Sequence, residues 1–299
     1  MNGRENVAGG FLDKLLGRPA PHPEVAAALA ELERLRQERP SLAAPAALLA
    51  ELLPILYELQ PTVAPALPPE RAADRLAAGV PLLRGEDLAL DAGALRRRWV
   101  GVCAAVARHQ AGGAATALAG AVKRGQLPVE GLAAAVLAGR IHEVHGRADA
   151  LGLDAGLAAT VLRFTLFPCL VSHNTVLAPL RSGAAWGRGY CPTCGSWPLL
   201  GEFRGLEQTR WLRCGLCAAD WEFPRLACPF CDNRDHRRLA YLHVEGEESR
   251  RAATCEECRG YVKMIATLGP LSPTQLLVAD LSTVYLDLAL AERGQAVPT

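Results

Sequence analysis

Lysine is nearly missing from this sequence, and so is any excess of charge of one sign. In 299 residues lysine occurs only at positions 14, 123 and 263, arginine is abundant, and the formal net charge is +1. A balance this close to zero excludes a strongly polycationic or polyanionic chain that would bind a polyion by charge alone. We interpret the arginine, alanine and leucine content as a compositional bias of the genome, without functional meaning.

Long apolar runs and common catalytic motifs are missing as well. No uninterrupted apolar run reaches the roughly 20 residues that cross a bilayer. The first residues, MNGRENVAGG, lack the apolar stretch and cleavage site of a secretory signal. We find no serine–histidine–aspartate set and no glycine-rich phosphate loop. The sequence therefore predicts a soluble, cytoplasmic protein that does not insert into a membrane and is not an enzyme.

The sequence changes character near residue 186. Before it, apolar residues recur at three- and four-residue spacing, which is typical of amphipathic helices. The prolines at 40, 54 and 61 are expected to break or bound them. The predicted helices span residues 22–40, 42–61, 93–111, 114–124, 128–145 and 151–177. Residues 1–186 are therefore predicted to form an all-helical domain.

After residue 186, short runs with aromatic and β-branched residues alternate with turn residues and predict strands. These runs are WPLLGEFRG, QTRWLRC, DWEFPRLAC, RLAYLHVEG, SRRAATC and GYVKMIATL. None is long enough to suggest a large sheet. Residues 273–294 predict a C-terminal helix with Thr274 as the candidate N-cap and Gly294 at its end. The predicted fold class is α+β: the helical domain, a small β-rich module over 187–272 with two metal knuckle pairs, and a C-terminal helix within 273–299 that packs on the rest.

Eight of the ten cysteines fall in four C-x-x-C units. The units are Cys191/Cys194, Cys214/Cys217, Cys228/Cys231 and Cys255/Cys258. A C-x-x-C turn points both thiols to one side, and two turns supply the four ligands of a tetrahedral metal site. The spacing between the first and second units, and between the third and fourth, is close to the roughly 15 to 20 residues of ribbon-like sites. We favour this sequential pairing, and a cross-braced pairing of the first unit with the third stays open.

Other uses of cysteine fit less well. Structural disulfides need an oxidising compartment, and a thioredoxin-type pair begins a helix in a βαβ setting, which none of these units does. The expected cofactors are therefore two metal ions, and a Cys₄ site suits zinc as well as rubredoxin-like iron. CPTCG has the proline and glycine of a rubredoxin-like knuckle, whereas the other units continue with Ala218, Asp232 and Arg259.

The cysteine-rich half resembles formate dehydrogenase accessory proteins of the FdhE type. The residues that carry the resemblance lie between Tyr190 and Glu292, in the family's order: CPTCGSWP, RWLRCGLCAADWEFPRLACPFC, TCEECRGYVKM and VADLSTVYLDLAL. The resemblance implies a cytoplasmic, chaperone-like maturation factor that binds rubredoxin-like metal through all eight cysteines. It also implies contact with the molybdenum- or tungsten-containing catalytic subunit of formate dehydrogenase before export.

Two alternative functions are weighed against this one. The first is rubredoxin-like electron transfer through Cys₄ iron. The second is nucleic-acid binding by zinc ribbons, which is disfavoured because eight thiolates with two divalent ions would make the cysteine-rich half distinctly negative. The basic residues Arg234, His236, Arg237 and Arg238, like the segment LRRRW at 95–99, are interpreted as solvated surfaces.

The remaining single residues receive structural interpretations. Asp280 and Asp287 are expected to form a solvated stripe on the last helix, with pairing to a partner protein as the alternative. Cys103 and Cys169 are expected to be buried packing residues. His173 is expected to be a satisfied core or cap residue, not a ligand. Self-association through the helical half stays open.

Overall fold

The computed structural model describes residues 22–57, 67–85, 88 and 90–297. The N-terminal stretch without a signal sequence and the expected boundary at Pro61 lie outside these residues. Helices fill the described part of the first half, and aspartates begin two of them: Asp91 and Asp154 each accept a hydrogen bond from a backbone N–H three residues on, at 3.0 and 2.8 Å. The helices are α1 (Pro23–Glu38), α2 (Ala43–Leu56), α3 (Pro69–Ala77), α4 (Ala92–His109), α5 (Ala114–Lys123), α6 (Val129–Leu137), α7 (Ile141–Asp149) and α8 (Ala155–Arg181).

The helix boundaries correct the sequence prediction at three points. Residues 128–145 are not one helix, because Gly139 adopts a left-handed conformation with φ +77° and separates α6 from α7. Helix α3 was not predicted. The helix predicted over 42–61 is shorter: α2 ends at Leu56, and Pro54 lies in its last turn and therefore bounds it. A proline near a helix end removes only one backbone hydrogen bond, and the helix stops soon after it.

Helix α8 is the central helix of the first half. It has 27 residues and is long and apolar enough to cross a membrane by length and composition. It does not stand out in the sequence when only apolar runs without interruption are considered. Half of its most apolar window is buried in the protein, and it packs against α3, α4 and α7. This is the environment of a core helix. The C-terminal helices meet the same length and composition test only when taken together as one span bent by 45°.

The strands of the second half form one six-stranded sheet in the order β3-β2-β1-β6-β5-β4. Neighbouring strands are antiparallel except β1 and β6, which are parallel. The strands are β1 (Pro198–Arg204), β2 (Thr209–Cys214), β3 (Asp220–Glu222), β4 (Leu239–His243), β5 (Arg250–Cys255) and β6 (Tyr261–Thr267). The predicted positions are confirmed, but the expectation that no large sheet would form is wrong, because the β1–β6 pair joins two small sheets.

Those two small sheets are tandem copies of one layout. In each copy a C-x-x-C knuckle precedes a hairpin, a second knuckle follows the hairpin, and a third strand closes the unit. The first copy, which we call the first unit of the sheet, consists of β1–β3, and the second copy, the second unit, consists of β4–β6. Because the first strand of one copy pairs with the last strand of the other, the two metal-site candidates belong to separate three-stranded units of a shared sheet.

The chain ends in two helices where one was predicted over 273–294. Helix α9 (Pro273–Ser282) and helix α10 (Val284–Glu292) meet at a 45° bend. Ser272, not Thr274, is the N-cap of α9. It forms a capping box with Gln275, in which the side chain of each residue accepts a hydrogen bond from the backbone N–H of the other. Helix α9 packs against α1, α2 and β1, so apolar residues of both halves form one continuous core. The α+β fold class is confirmed.

Candidate metal centres

The eight knuckle cysteines form two clusters of four thiols. The first cluster is Cys191, Cys194, Cys214 and Cys217, and the second cluster is Cys228, Cys231, Cys255 and Cys258. The thiols of each cluster lie within 4.8 Å of one another. The grouping is sequential, not cross-braced.

The sulfur–sulfur distances fit a tetrahedral ion. Between the two knuckles of a cluster they are 3.4 and 3.6 Å in the first cluster, and 3.6 and 3.8 Å in the second. A tetrahedron with metal–sulfur bonds of about 2.3 Å has edges of about 3.8 Å. A disulfide would need sulfur atoms about 2.05 Å apart. The donor set and its spacing therefore suit a thiophilic ion such as zinc or iron.

All four knuckles share one backbone turn. The residue after the second cysteine is left-handed in each of them, with φ +84° at Gly195, +56° at Ala218, +55° at Asp232 and +58° at Arg259. The N–H of the first cysteine also donates to the carbonyl five residues on, at 2.8 to 3.0 Å. A non-glycine residue in this conformation costs about 1–2 kcal/mol. Three knuckles thus adopt the glycine conformation without glycine, and the rest of the turn must offset that cost.

Several thiols accept hydrogen bonds from N–H groups. Such bonds stabilise sulfur in its thiolate form, which is the form that binds a metal. The pairs are Cys194 N to Cys191 Sγ at 3.5 Å, Leu216 N to Cys214 Sγ at 3.4 Å, Gly260 N to Cys258 Sγ at 3.4 Å and Asn233 Nδ2 to Cys255 Sγ at 3.6 Å. Both clusters therefore contain donors directed at sulfur.

The first cluster is dry. Its four cysteines are between 0 and 3% exposed. Burial alone would raise the pKa of Cys191, but hydrogen bonds from the thiols of Cys194 and Cys214 lower it well below its ordinary value. Burial also raises the pKa of Cys217 well above the ordinary value. Four thiolates cannot share such a site without a cation, so losing all four protons requires a bound positive charge.

The second cluster is more open to solvent. Cys231 is exposed and Cys258 is half-buried. Burial raises the pKa of Cys228. At Cys255 burial acts in the same direction, but bonds from the Cys258 N–H and the Asn233 amide lower the net pKa. Solvent can therefore reach this cluster without unfolding of the sheet.

The first knuckle is also bonded to the helical half. Its backbone carbonyls accept hydrogen bonds from the loop after α3, and polar side chains add further bonds. The pairs are Leu82 N to Pro192 O at 2.9 Å, Leu83 N to Thr193 O at 2.8 Å, Thr193 Oγ1 to Asn174 Oδ1 at 3.0 Å and Tyr190 Oη to Gly79 O at 2.7 Å. The approach is close at Gly195, where a Cβ would lie 2.8 Å from Arg84 Nη2 and would displace the end of that side chain.

The expectation for Asp280 and Asp287 is wrong. They do not form a solvated stripe, because both carboxylates bind the buried Lys263 ammonium, at 2.6 and 2.7 Å. Tyr261 also donates to Asp287 at 2.9 Å. These contacts attach both C-terminal helices to β6. Spacing within the last helix could not reveal them, because the partner lies on a strand.

The LRRRW segment is only partly a solvated face. Arg98 and Trp99 are buried, and Arg98 Nη1 donates to the carbonyl of Thr165 at 3.1 Å. Helical geometry places these two residues on the side of α4 that faces α8. Arg96 and Arg97 are exposed, as expected.

The expectations for the two remaining cysteines are confirmed, and that for His173 is confirmed in part. Cys103 and Cys169 are 1% and 8% exposed. His173 is a core residue of α8 outside both cysteine clusters, as expected, but it is only half satisfied: its Nδ1 donates to the carbonyl of Cys169 at 2.8 Å, whereas its buried Nε2 has no hydrogen-bond partner among the described residues.

The basic segment before β4 is exposed, and each of its arginines pairs with a nearby carboxylate. Arg234 binds Asp232, Arg237 binds Asp235 and Arg238 binds Glu257. No uncompensated cationic patch of arginines is therefore present in this segment.

The sequence interpretation missed a buried ionic network on the sheet. Glu202 of β1 is 0% exposed and accepts hydrogen bonds from Arg213, from Arg204 Nε at 2.5 Å and from Leu271 N at 3.2 Å. An acidic residue within an otherwise buried strand is the one signal that could have indicated it. The network joins the first unit to the segment that leads into α9.

Comparison with known proteins gives a consistent result. Two family descriptions match: "FdhE, central domain" over residues 190–225 and "FdhE, C-terminal domain" over residues 226–298. The boundary between them falls between β3 and the third knuckle, which is also the boundary between the two structural copies.

Curated relatives match over part of their length. A "Protein FdhE homolog" of Stutzerimonas stutzeri is 42% identical over 109 residues, covering 35% of this chain and 34% of the relative. One of Pseudomonas aeruginosa is 36% identical over 150 residues, covering 46% and 48%. The matched region thus spans between a third and a half of these relatives.

A solved structure matches over nearly the whole chain. It is described as the crystal structure of the FdhE protein from Pseudomonas aeruginosa, and it aligns with a TM-score of 0.62 at 26% identity. The alignment covers 93% of this chain and 95% of that chain. The helical half, which has no motif of its own, is therefore part of the shared architecture.

Proposed function

We propose, because this chain belongs to the FdhE family, that it is a non-catalytic accessory factor in the maturation of formate dehydrogenase. The observation that carries the proposal is the family match over residues 190–298, which includes both Cys₄ clusters and both C-terminal helices. In this proposal the client is the catalytic subunit, and binding occurs in the cytoplasm.

The eight cysteines are proposed as ligands of two metal ions, zinc or iron. A bound ion supplies the positive charge that four neighbouring thiolates require, and it links two knuckles that lie far apart in sequence. The protein contributes the turn geometry and the N–H bonds to sulfur described above. The knuckles then hold the hairpins of both units in one sheet, and that sheet presents the client-binding surface.

The proposal is tested with paired cysteine variants in cells that produce the catalytic subunit. Cys191→Ser removes a ligand from the first cluster, whereas Cys103→Ala changes a buried cysteine outside both clusters. We expect Cys191→Ser to lose about one metal equivalent and most co-purification of the catalytic subunit, because three thiolates hold the ion weakly. Cys103→Ala should retain both. Unchanged metal content and unchanged co-purification in Cys191→Ser would contradict the proposal.

Electron transfer through iron is the second candidate. It is favoured by the exposed Cys231 and by the N–H bonds to sulfur, since exposure and such bonds set the potential of a Cys₄ iron site. Protein purified without oxygen should then contain iron and show thiolate-to-iron absorption bands that bleach reversibly. Two zinc ions and no colour would leave the accessory function alone.

A further inference from the structure

Strand β4 has an unpaired edge. It is the outermost strand of the second unit, and among residues 22–57, 67–85, 88 and 90–297 only β5 is bonded to it as a strand. Arg238 O accepts from Glu256 N at 2.9 Å, so alternation along the strand directs the N–H and C=O groups of Tyr241 and His243 away from β5. In the described residues, no backbone bond outside the sheet uses these groups. They are free to pair with another strand.

The strand lacks the features that usually block an open edge. Its sequence, LAYLH, has no proline, lysine or acidic residue, and its five residues are half-buried or exposed. Natural edge strands are commonly protected by charge, proline or a covering element. The opposite edge strand, β3, carries Asp220 and Glu222 within three residues. The two edges of the same sheet therefore differ in their protection.

Three arginines without carboxylate partners lie beside this edge. Arg251 stacks on the rings of Phe203 and Tyr241, at 4.8 and 5.3 Å, and Arg225 stacks on Phe203 at 5.1 Å. Arg210 is 2% exposed and donates to the carbonyls of the segment that crosses this face. In the part of the chain that the structure describes, none of the three forms an ion pair, whereas Arg204 and Arg213 of the same sheet do. A buried or stacked guanidinium without a counter-charge favours an anionic partner.

A groove of about 40 Å³ adjoins the edge on the same face. Arg210, Arg225, Leu226 and Tyr241 are among its lining residues, the second-cluster cysteines Cys228 and Cys255 form another part of its wall, and none of the lining residues carries a carboxylate. Leu226 is 63% exposed and Tyr241 is 39% exposed, so the groove has an apolar rim.

We propose that β4 binds an extended, acidic peptide segment of a partner protein as an additional strand. The backbone of the segment pairs with Tyr241 and His243, and one of its Asp or Glu side chains contacts the guanidinium groups of Arg225 and Arg251. Neighbouring apolar side chains of the segment cover Leu226 and Tyr241. This mode of recognition combines main-chain bonds for affinity with alternate side chains for specificity.

A second copy of this chain is the weaker occupant. Pairing of β4 with β4 around a two-fold axis would bring two sets of Arg225 and Arg251 to one interface, and the five residues of β4 supply no carboxylate for them. Like charges opposed across a strand pair are destabilising. The complementarity of charge therefore favours an acidic partner. The inference does not depend on which protein supplies the segment, so it can fail while the proposed function holds.

The test uses a phage-displayed library of random twelve-residue peptides selected on the zinc-loaded full chain. His243→Pro removes one outward N–H and no bond to β5, and His243→Ala is its matched control because it keeps that N–H. Both variants are first checked for two zinc ions and an unchanged thermal midpoint. We expect enriched peptides to carry Asp or Glu between β-branched or aromatic residues. Their affinity should fall about tenfold with Glu→Gln in the peptide or Arg251→Gln in the protein.

Backbone pairing has its own measurement. Hydrogen exchange of the wild-type chain should slow over residues 239–243 when a selected peptide is added. Because this measurement uses only the wild-type chain, it tests the pairing even if His243→Pro fails to fold. The inference is overturned if no peptide is enriched, if enriched peptides show no acidic preference, or if His243→Pro binds as well as His243→Ala. Protection of residues 239–243 that depends on protein concentration without peptide would identify a second copy instead, and would also overturn it.

Discussion

The two clusters should lose metal at very different rates. The perturbation is an excess of a chromogenic chelator added to zinc-loaded protein. Cys231 of the second cluster is exposed, so the chelator can reach that zinc in the folded state. The cysteines of the first cluster are at most 3% exposed, so their zinc is released only after the first knuckle leaves the helical half.

The expected difference between the two rates of zinc release follows from the hydrogen bonds that break when the first knuckle leaves the helical half. The first knuckle makes the four hydrogen bonds to the helical half described above, at 2.7 to 3.0 Å. Each contributes about 1 kcal/mol net, which gives a barrier of about 4 kcal/mol in addition to the intrinsic cost of ligand exchange. Since about 1.4 kcal/mol corresponds to a factor of ten, the first zinc should be released about a thousandfold more slowly than the second.

The assay is the absorbance of the chelator complex over time. We expect two phases of one zinc equivalent each. Thr193→Val removes the hydroxyl that donates to Asn174 and should speed only the slow phase, by about three- to tenfold. Cys231→Ser should abolish the fast phase and leave the slow one. A single phase of two equivalents, or a fast phase that disappears in Cys191→Ser and not in Cys231→Ser, would refute the reasoning.

Three further predictions concern stability. Glu202→Gln should lower the free energy of unfolding by about 3–5 kcal/mol in urea, because it leaves buried guanidinium groups without a counter-charge, whereas the exposed Glu207→Gln should change it by less than about 0.5 kcal/mol. Burial raises the pKa of Cys103 from 9.0 to about 12, so the unfolded chain loses this proton first, and the free energy of unfolding falls as pH rises from 9 to about 12. In urea titrations over this pH range, the free energy of unfolding of Cys103→Ala should fall less steeply with pH than that of the wild type. Equal slopes for the two proteins would contradict this prediction. Lys263→Met should cost about 2–3 kcal/mol and speed hydrogen exchange in α10, whereas Lys123→Met, at an exposed position, should do neither.

Local signals in the sequence predicted the parts of the site that are local. The C-x-x-C units predicted the knuckles, and turn residues between short β-branched runs predicted the positions of all six strands, although the nine-residue run DWEFPRLAC forms a strand only over Asp220–Glu222. The favoured sequential pairing was readable from spacing because each hairpin lies between the knuckles it joins. The left-handed residues could not be read from Ala218 and Arg259, since those side chains rarely adopt that conformation and only the surrounding turn imposes it.

Contacts between distant segments were not predictable in this way. The parallel pairing of β1 with β6 joins residues about sixty positions apart, and nothing in either strand specifies the partner. Lys263 and its two aspartates are likewise far apart in sequence, so periodicity within the last helix could suggest only a polar stripe. The burial of Arg98 follows from the position of α8, which the pattern of α4 does not contain. Such features depend on tertiary arrangement, which overrides local preference.

In the tandem layout, ions bound to the two clusters would stabilise different parts of the protein: the global fold in one case and the β4–β5 hairpin in the other. The first unit is bonded to the helical half and contributes most of the buried strand residues, so an ion bound to its cluster would support the global fold. In the second unit β4 has no fully buried residue, and β5 has only Ala252 and Cys255. Few apolar contacts therefore hold the β4–β5 hairpin in place. The two knuckles of the second cluster lie at the two ends of this hairpin, so a metal bound there would provide most of the restraint on the hairpin. Protein that has lost only the second ion should stay folded while its β4 edge loses a fixed position. The binding of an extended segment to that edge would then depend on occupancy of the cluster that exchanges metal more readily.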